Sequence, residues 1–315
     1  MAEPYKMANI KVTVVALAFC LSGSTLTVLN KQIMGFFPAP NAVLFAQNGV
    51  TLALLAFGKT ALNIHIESFS WVKAVRWFPL VLLFYGVLVS SMLALKFVTA
   101  TTLIVQRNLA TATIAVADYF YLGTVQTSPR IFAILGMCLG SMVYASGDLL
   151  PTSTDMNVSL SGRFAGYIWL VGNVMVTTAY QIKAKSLVNE LNMNSWTMAF
   201  YNNFLSLPMC VLNGFIQREH KTLQAFVLVG ATNTQCVLLS ISCTLGFCLS
   251  VSAFQLNRLI TPTSITILNN TNKFALFFFT AYFMDYSMLT MSSIAGAATV
   301  MICAAFYSVN GIKKV

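Results

Sequence analysis

Apolar runs of roughly 20 residues, separated by short polar stretches, recur ten times along this chain of 315 residues. Wound as a helix at about 1.5 Å per residue, such a run matches the roughly 30 Å hydrocarbon core of a bilayer. The pattern predicts helices over 10–34, 41–58, 77–97, 99–122, 129–147, 164–184, 195–215, 233–256, 260–283 and 288–309. The region from Thr222 to Ser252 is crowded and open to a different division. An even number of crossings puts both termini on one side. Lys6, Lys11, Lys313 and Lys314 make that side the cytosol by the positive-inside rule. Lys59, Lys73, Arg76, Lys183 and Lys185 then fall on the same side, with Asp148 and Asp155 opposite. The loop carrying those acids holds the sequon Asn157-Val158-Ser159, which suits a lumenal position. No cleavable signal is expected, since Met1 to Asn9 leads directly into a span too long for a signal's apolar stretch.

The positions that break this pattern carry the chemistry. Asn269-Asn270-Thr271-Asn272-Lys273 sits between the apolar stretches Ile260 to Leu268 and Phe274 to Phe279. An ammonium at bilayer depth costs at least about 2.5–3.5 kcal/mol, and the neighbouring amides and hydroxyl add to that unless they are satisfied. The segment is therefore expected to face a water-filled cavity or a polar ligand. A second break, Arg107-Asn108, interrupts the fourth predicted helix, and a third, Tyr201-Asn202-Asn203, interrupts the seventh.

The breaks are related by an internal repeat. At an offset of 154, Lys31 falls on Lys185 and Asn48 on Asn202. At an offset of 162, Ser90 falls on Ser252, Lys96 on Arg258, Thr99 on Thr261, Thr101 on Thr263 and Asn108 on Asn270. The predicted architecture is two five-helix repeats: residues 1–150, a lumenal loop over 151–163, and residues 164–315. An odd number of helices per copy inverts the second relative to the first. Inverted repeats characterise alternating-access transporters, which hold substrate near the midplane.

The same offset of 162 sets Lys273 opposite Thr111, so Lys273 and Arg107 are staggered across the repeat. Two fixed cations around one cavity attract a diphosphate, which Arg grips bidentately. The alternative is an ion pair, for which Asp118 is the available acid. It lies about three turns from Arg107 on the same helix, too far for a local pair, and is expected near the helix end, close to an interface. Asn202 and Asn203 each offer a donor and an acceptor, which suits a purine edge. Helix–helix hydrogen bonding explains such residues equally well.

Composition narrows the classes. Charged residues make up 8% and apolar residues 57% of the chain, and the mean hydropathy is +0.77. A soluble domain carries about 25% charged residues. The seven cysteines all lie in apolar stretches with no CxxC pair, and His65 and His220 lie in charged loops. No metal, cofactor or nucleic-acid partner is expected, and no paired carboxylates or activated nucleophile point to an enzyme. Gly136 and Gly140, with Gly296, form small-residue faces suited to close packing within one protomer, ahead of a homodimer.

Phe200-Tyr201-Asn202-Asn203, followed by Leu205-Ser206-Leu207-Pro208, resembles the FYNN motif of GDP-mannose-type nucleotide-sugar transporters in the drug/metabolite transporter superfamily. The family's second motif, GALNK, corresponds to Asn269–Lys273, of which Asn272-Lys273 is retained. Asn30-Lys31 and Arg107-Asn108-Leu109 also resemble family patterns, the latter usually reading Lys-Asn-Leu. The resemblance implies that Asn202 and Asn203 recognise guanine, Lys273 holds the diphosphate and Asn272 lines the sugar end. It further implies a Golgi or ER membrane protein that exchanges cytosolic GDP-sugar for lumenal GMP. GDP-mannose is the first candidate. Because Asn269-Asn270 replaces a small Gly-Ala pair, GDP-fucose and GDP-arabinose stand beside it. The competing readings are a UDP-sugar transporter, a triose-phosphate or other organophosphate exchanger of the same fold, and a membrane scaffold for glycosyltransferases.

Overall fold

The structure, a computed structural model, describes residues 2–95, 100–146, 160–230, 232–283 and 291–311. Among these residues the chain forms eleven helices: α1 (Ala2–Phe36), α2 (Pro40–Ala61), α3 (Trp71–Leu95), α4 (Ala100–Leu122), α5 (Ser128–Ser146), α6 (Leu160–Leu191), α7 (Ser195–Ile216), α8 (Glu219–Val229), α9 (Asn233–Leu259), α10 (Pro262–Phe283) and α11 (Met291–Gly311). Ten of them fall on the ten predicted segments. The eleventh, α8, is 11 residues long and lies at the start of the crowded region. It was not foreseen, because about 11 residues fall well short of a bilayer crossing and leave no span-length signal.

Five segments are long and apolar enough to cross a membrane: Ile10–Phe36, Pro40–Ala61, Trp71–Leu88, Ser128–Ser146 and Asn233–Leu259. The helices with the Arg107 and Lys273 breaks, α4 and α10, are not among them. α6 starts at Leu160, inside the segment expected to be loop. The sequon at Asn157 lies outside the described residues, as do Lys96 and Thr99 of the repeat alignment.

Helix ends follow local chemistry. Pro40 and Pro262 open α2 and α10, where a missing N–H and a fixed φ suit the first turn. Asn194 caps α7, its side chain accepting from the Thr197 N–H at 2.7 Å and satisfying one orphan donor. Arg218, with φ 59°, turns the chain between α7 and α8.

The chain forms two compact units, and neither coincides with a half of the sequence. The first comprises Met1–Val81 and Leu187–Leu259, the second Leu82–Ser186 and Ile260–Val315. In the first unit α1 packs on α9, α2 packs on α7 and α9, and the Trp77 ring of α3 lies tilted by 56° against Phe254 at 5.7 Å. Ile33, Phe37, Ala39 and Val43 form a buried cluster here. The carboxylate of Glu219 accepts from the backbone N–H groups of Asn41 and Ala42 at 3.2 and 3.0 Å, and from the Asn41 amide at 2.6 Å. A carboxylate so placed favours the positive end of the α2 dipole and fixes α8 to it.

In the second unit α5 and α11 are in close contact, and α4, α10 and α11 enclose a core around Met137, Ile267, Phe274 and Val300. The glycine faces lie in this α5–α11 seam. A methyl at Gly296 would stand 2.6 Å from the Gly140 carbonyl oxygen, and one at Gly136 would stand 2.6 Å from the Cys303 sulfur. The small residues thus serve packing within the chain, and a homodimer would need another surface. Elsewhere in the unit, Asn173 of α6 donates to the Val87 carbonyl and the Ser90 hydroxyl at 3.0 and 2.8 Å, and accepts from Gln106 at 3.0 Å.

Candidate functional site

The candidate residues fall into two groups, one in each unit. In the second unit, Arg107, Asn108, Asn270 and Lys273 come together where α4 meets α10. The Asn270 side-chain amide donates toward three acceptors: the Arg107 carbonyl at 3.2 Å, the Asn108 side-chain oxygen at 3.3 Å and the Thr111 hydroxyl at 3.1 Å. Asn108 and Thr111 are each 1% exposed and Asn270 5%. Thr111 in turn donates to the Arg107 carbonyl at 3.2 Å, and Cys138 of α5 to the Asn108 carbonyl at 3.5 Å.

The two cations stand beside this knot. Arg107 is half-buried and Lys273 exposed, and their charges are near enough to repel each other. Among the described residues the ion pairs are Lys73–Glu67 and Arg76–Glu190, and neither Arg107 nor Lys273 takes part in one. Asn269 and Asn272 are half-buried on the same helix. Asn270 and Lys273, three residues apart, differ in surroundings: the Asn270 amide is bonded to α4, whereas Lys273 is an exposed residue.

Asp118 does not serve these cations. It lies near the end of α4, as expected, but is fully buried. Its Oδ2 accepts from the Thr263 hydroxyl at 2.8 Å, and its charge attracts Lys185. Lys185 donates to the Ile260 carbonyl at 2.9 Å. The acid thus joins the starts and ends of α4, α6 and α10.

The first unit holds the remaining candidates. Asn203 is 4% exposed, and its amide donates to the Ala199 carbonyl at 2.7 Å and the Ser250 hydroxyl at 2.8 Å. Both amide hydrogens are thereby committed, leaving the carbonyl oxygen as the group for a ligand. Asn202 is half-buried. Tyr201 is fully buried. Its hydroxyl accepts from the Ser70 N–H at 2.7 Å and its ring stacks on Phe69 at 5.7 Å. It offers no surface to a ligand here. Instead it docks the α2–α3 connection, which Thr197 also holds by accepting from the Glu67 N–H at 3.1 Å.

The Asn30 side-chain oxygen accepts from Gln47 at 3.0 Å and Ser242 at 3.2 Å, tying α1, α2 and α9 together. The side chain of Lys31 lies outside the described part of the structure. Gln47, Ser242 and Ser250 were missed from sequence, because several uncharged polar residues lie scattered through these apolar runs and nothing marks one above another.

No family model matches the chain. It is 29% identical over 211 residues to the GDP-mannose transporter of Botryotinia fuckeliana, covering 64% of this chain and 54% of that protein. It is 28% identical over 218 residues to the GDP-mannose transporter of Pyricularia oryzae, with the same shares covered. These matches therefore span about half the length of those relatives. A GDP-mannose transporter of Aspergillus fumigatus matches at 24% identity over 305 residues, 95% of this chain and 80% of that protein. The curated relatives are transporters. A solved crystal structure matches with a TM-score of 0.66 at 11% identity, covering 96% of this chain and 99% of that one. That likeness bears on the fold alone.

Proposed function

We propose that the chain is a nucleotide-sugar antiporter that exchanges cytosolic GDP-sugar, GDP-mannose first among the candidates, for lumenal GMP by alternating access. The observation that carries this reading is the similarity to GDP-mannose transporters over 95% of the chain, together with two mutually repelling cations on α4 and α10 that lack an acidic partner among the described residues. In this reading Arg107 and Lys273 take the diphosphate and Asn202 and Asn203 read the guanine. Guanine presents N1–H and N2–H donors, which the Asn203 carbonyl oxygen can accept. Asn272 lies toward the sugar.

The two cations also give a physical cause for obligatory exchange. An empty carrier would have to move uncompensated positive charge through the low-dielectric membrane interior, whereas a bound phosphate neutralises it. Ten helices in two inverted repeats, with both termini cytosolic in a Golgi or ER membrane, complete the proposal. The pairing of α4 with α10, whose Asn108 and Asn270 are matched by the offset of 162, supports the repeat.

The test is uptake into reconstituted vesicles preloaded with GMP, with each nucleotide sugar offered in turn. Uptake of GDP-mannose that needs internal GMP is the expected outcome. Uptake of UDP-sugars with no response to GDP-sugars would sink the guanine assignment. Exchange of organophosphates that survives replacement of Asn202 and Asn203 by Ala would favour the organophosphate carrier.

A further inference from the structure

We propose that Asn270 is a positioning residue: its amide ties α10 to α4 and sets the spacing of the Arg107 and Lys273 charges for a diphosphate, without touching the ligand. The proposal rests on the phosphate-binding reading above and assigns Asn270 a part in it other than ligand contact.

Three observations carry it. First, Asn270 is 5% exposed and its two amide hydrogens serve three acceptors on α4, so its donors are saturated within the protein. Second, one of those acceptors is the backbone carbonyl of Arg107. The bond grips the main chain at the residue that carries the guanidinium, and Lys273 is one helical turn away on the donor's own helix. The tie therefore fixes both points from which the charges project. Third, the two cations repel each other, so the seam between their helices needs something to hold it in register.

The pairing has a second origin in the sequence. Asn108 and Asn270 are equivalent positions at the repeat offset of 162, and they are hydrogen-bonded to each other at 3.3 Å. Counterparts of a duplication meet where the two copies face each other. The same two helices are joined again by Thr263 and Asp118. Removing the Asn270 amide should thus loosen the register near the cations without parting the helices.

The experiment measures binding of guanosine, GDP and GDP-mannose to the purified full chain in detergent, for the wild type, N270A, N270S and T111V, alongside ligand-free melting. N270A is expected to weaken GDP and GDP-mannose by the same factor, at most about tenfold because the bond it removes lies within the protein and its worth bounds the effect, and to leave guanosine unchanged. N270S, which keeps one donor, should recover part of the loss. T111V removes an acceptor from α4 at constant shape and should weaken GDP in the same direction. The double variant N270A/T111V should lose less than the sum of the two.

A loss confined to GDP-mannose would overturn the proposal, because Asn270 would then touch the sugar. A lower ligand-free melting temperature with all affinities unchanged would overturn it too, leaving only a structural bond. If the wild type binds guanosine but not GDP, the phosphate-binding reading fails, and the proposal with it.

Discussion

Replacing Lys273 by Met should make the empty protein more stable and the ligand complex weaker. Met keeps the length and apolar stem of the side chain and removes its charge. Two like charges in an effective dielectric of about 20 repel by about 4 kcal/mol at about 4 Å, and by less the farther apart they stand. Lys273 is exposed, so water screens its repulsion with Arg107 to at most about 1 kcal/mol. That much is released in the empty protein. A hydrogen bond to a charged group is worth about 1.5–3 kcal/mol. Loss of one to the phosphate should therefore cost roughly 10- to 150-fold in GMP affinity. Thermal unfolding in detergent, with and without GMP, reads both effects in one experiment. At a hundredfold its dissociation constant, a ligand adds about 2.7 kcal/mol to the folded state. The wild type should show that protection at a concentration where K273M shows little of it. A ligand-free melting temperature that falls while the GMP shift is retained would refute the reasoning, since Lys273 would then be a packing residue.

Gly296→Val forces a side chain against the Gly140 carbonyl across the α5–α11 seam and should cost about 1–3 kcal/mol as overpacking. Thermal unfolding checks this, and an unchanged melting temperature would mean the seam is looser than described. Asp118→Ala leaves Lys185 and Thr263 without their buried acid and should destabilise by about 1–3 kcal/mol. Asp118→Asn, which keeps an acceptor for Thr263, should cost less. Tyr201→Phe leaves the Ser70 N–H without its acceptor and should lower stability by about 0.5–1.5 kcal/mol. A GMP affinity that collapses in Y201F while stability holds would return the hydroxyl to the ligand.

The helices were legible because their signal is one of length and apolarity, which a bilayer demands of every span. Boundaries at α2, α4, α5 and α7 fall within three residues of the predicted ones, helped by Pro40 at the start of α2 and Asn194 before α7. Two things were not legible. Each compact unit joins segments far apart in the sequence, and an apolar run does not say which neighbour it packs against. The direction a polar side chain faces was equally hidden. Tyr201 and Asn203 lie two residues apart in one motif and are both buried, yet one docks a connecting loop and the other bonds α9.

Asn269 and Asn270, which stand where the GDP-mannose-type transporters that the chain resembles carry a small Gly-Ala pair, show how much that hidden direction matters. On sequence alone, Asn269 and Asn270 together add bulk and hydrogen-bonding groups near the sugar, and so place GDP-mannose beside other GDP-sugars. The structure separates the two. The Asn270 amide is turned into α4 and bonded there, so its bulk lies within the helix seam. In the proposed reading Asn269, half-buried one residue earlier and therefore about 100° around the helix, is the replacement left to bear on substrate choice. Asn269→Gly should consequently alter the preference among GDP-sugars in the vesicle exchange, whereas Asn270→Ala should weaken GDP-mannose, GDP-fucose and GDP-arabinose alike. If the two variants exchange these behaviours, α10 is rotated from the orientation described, and the sugar lies on the Asn270 face.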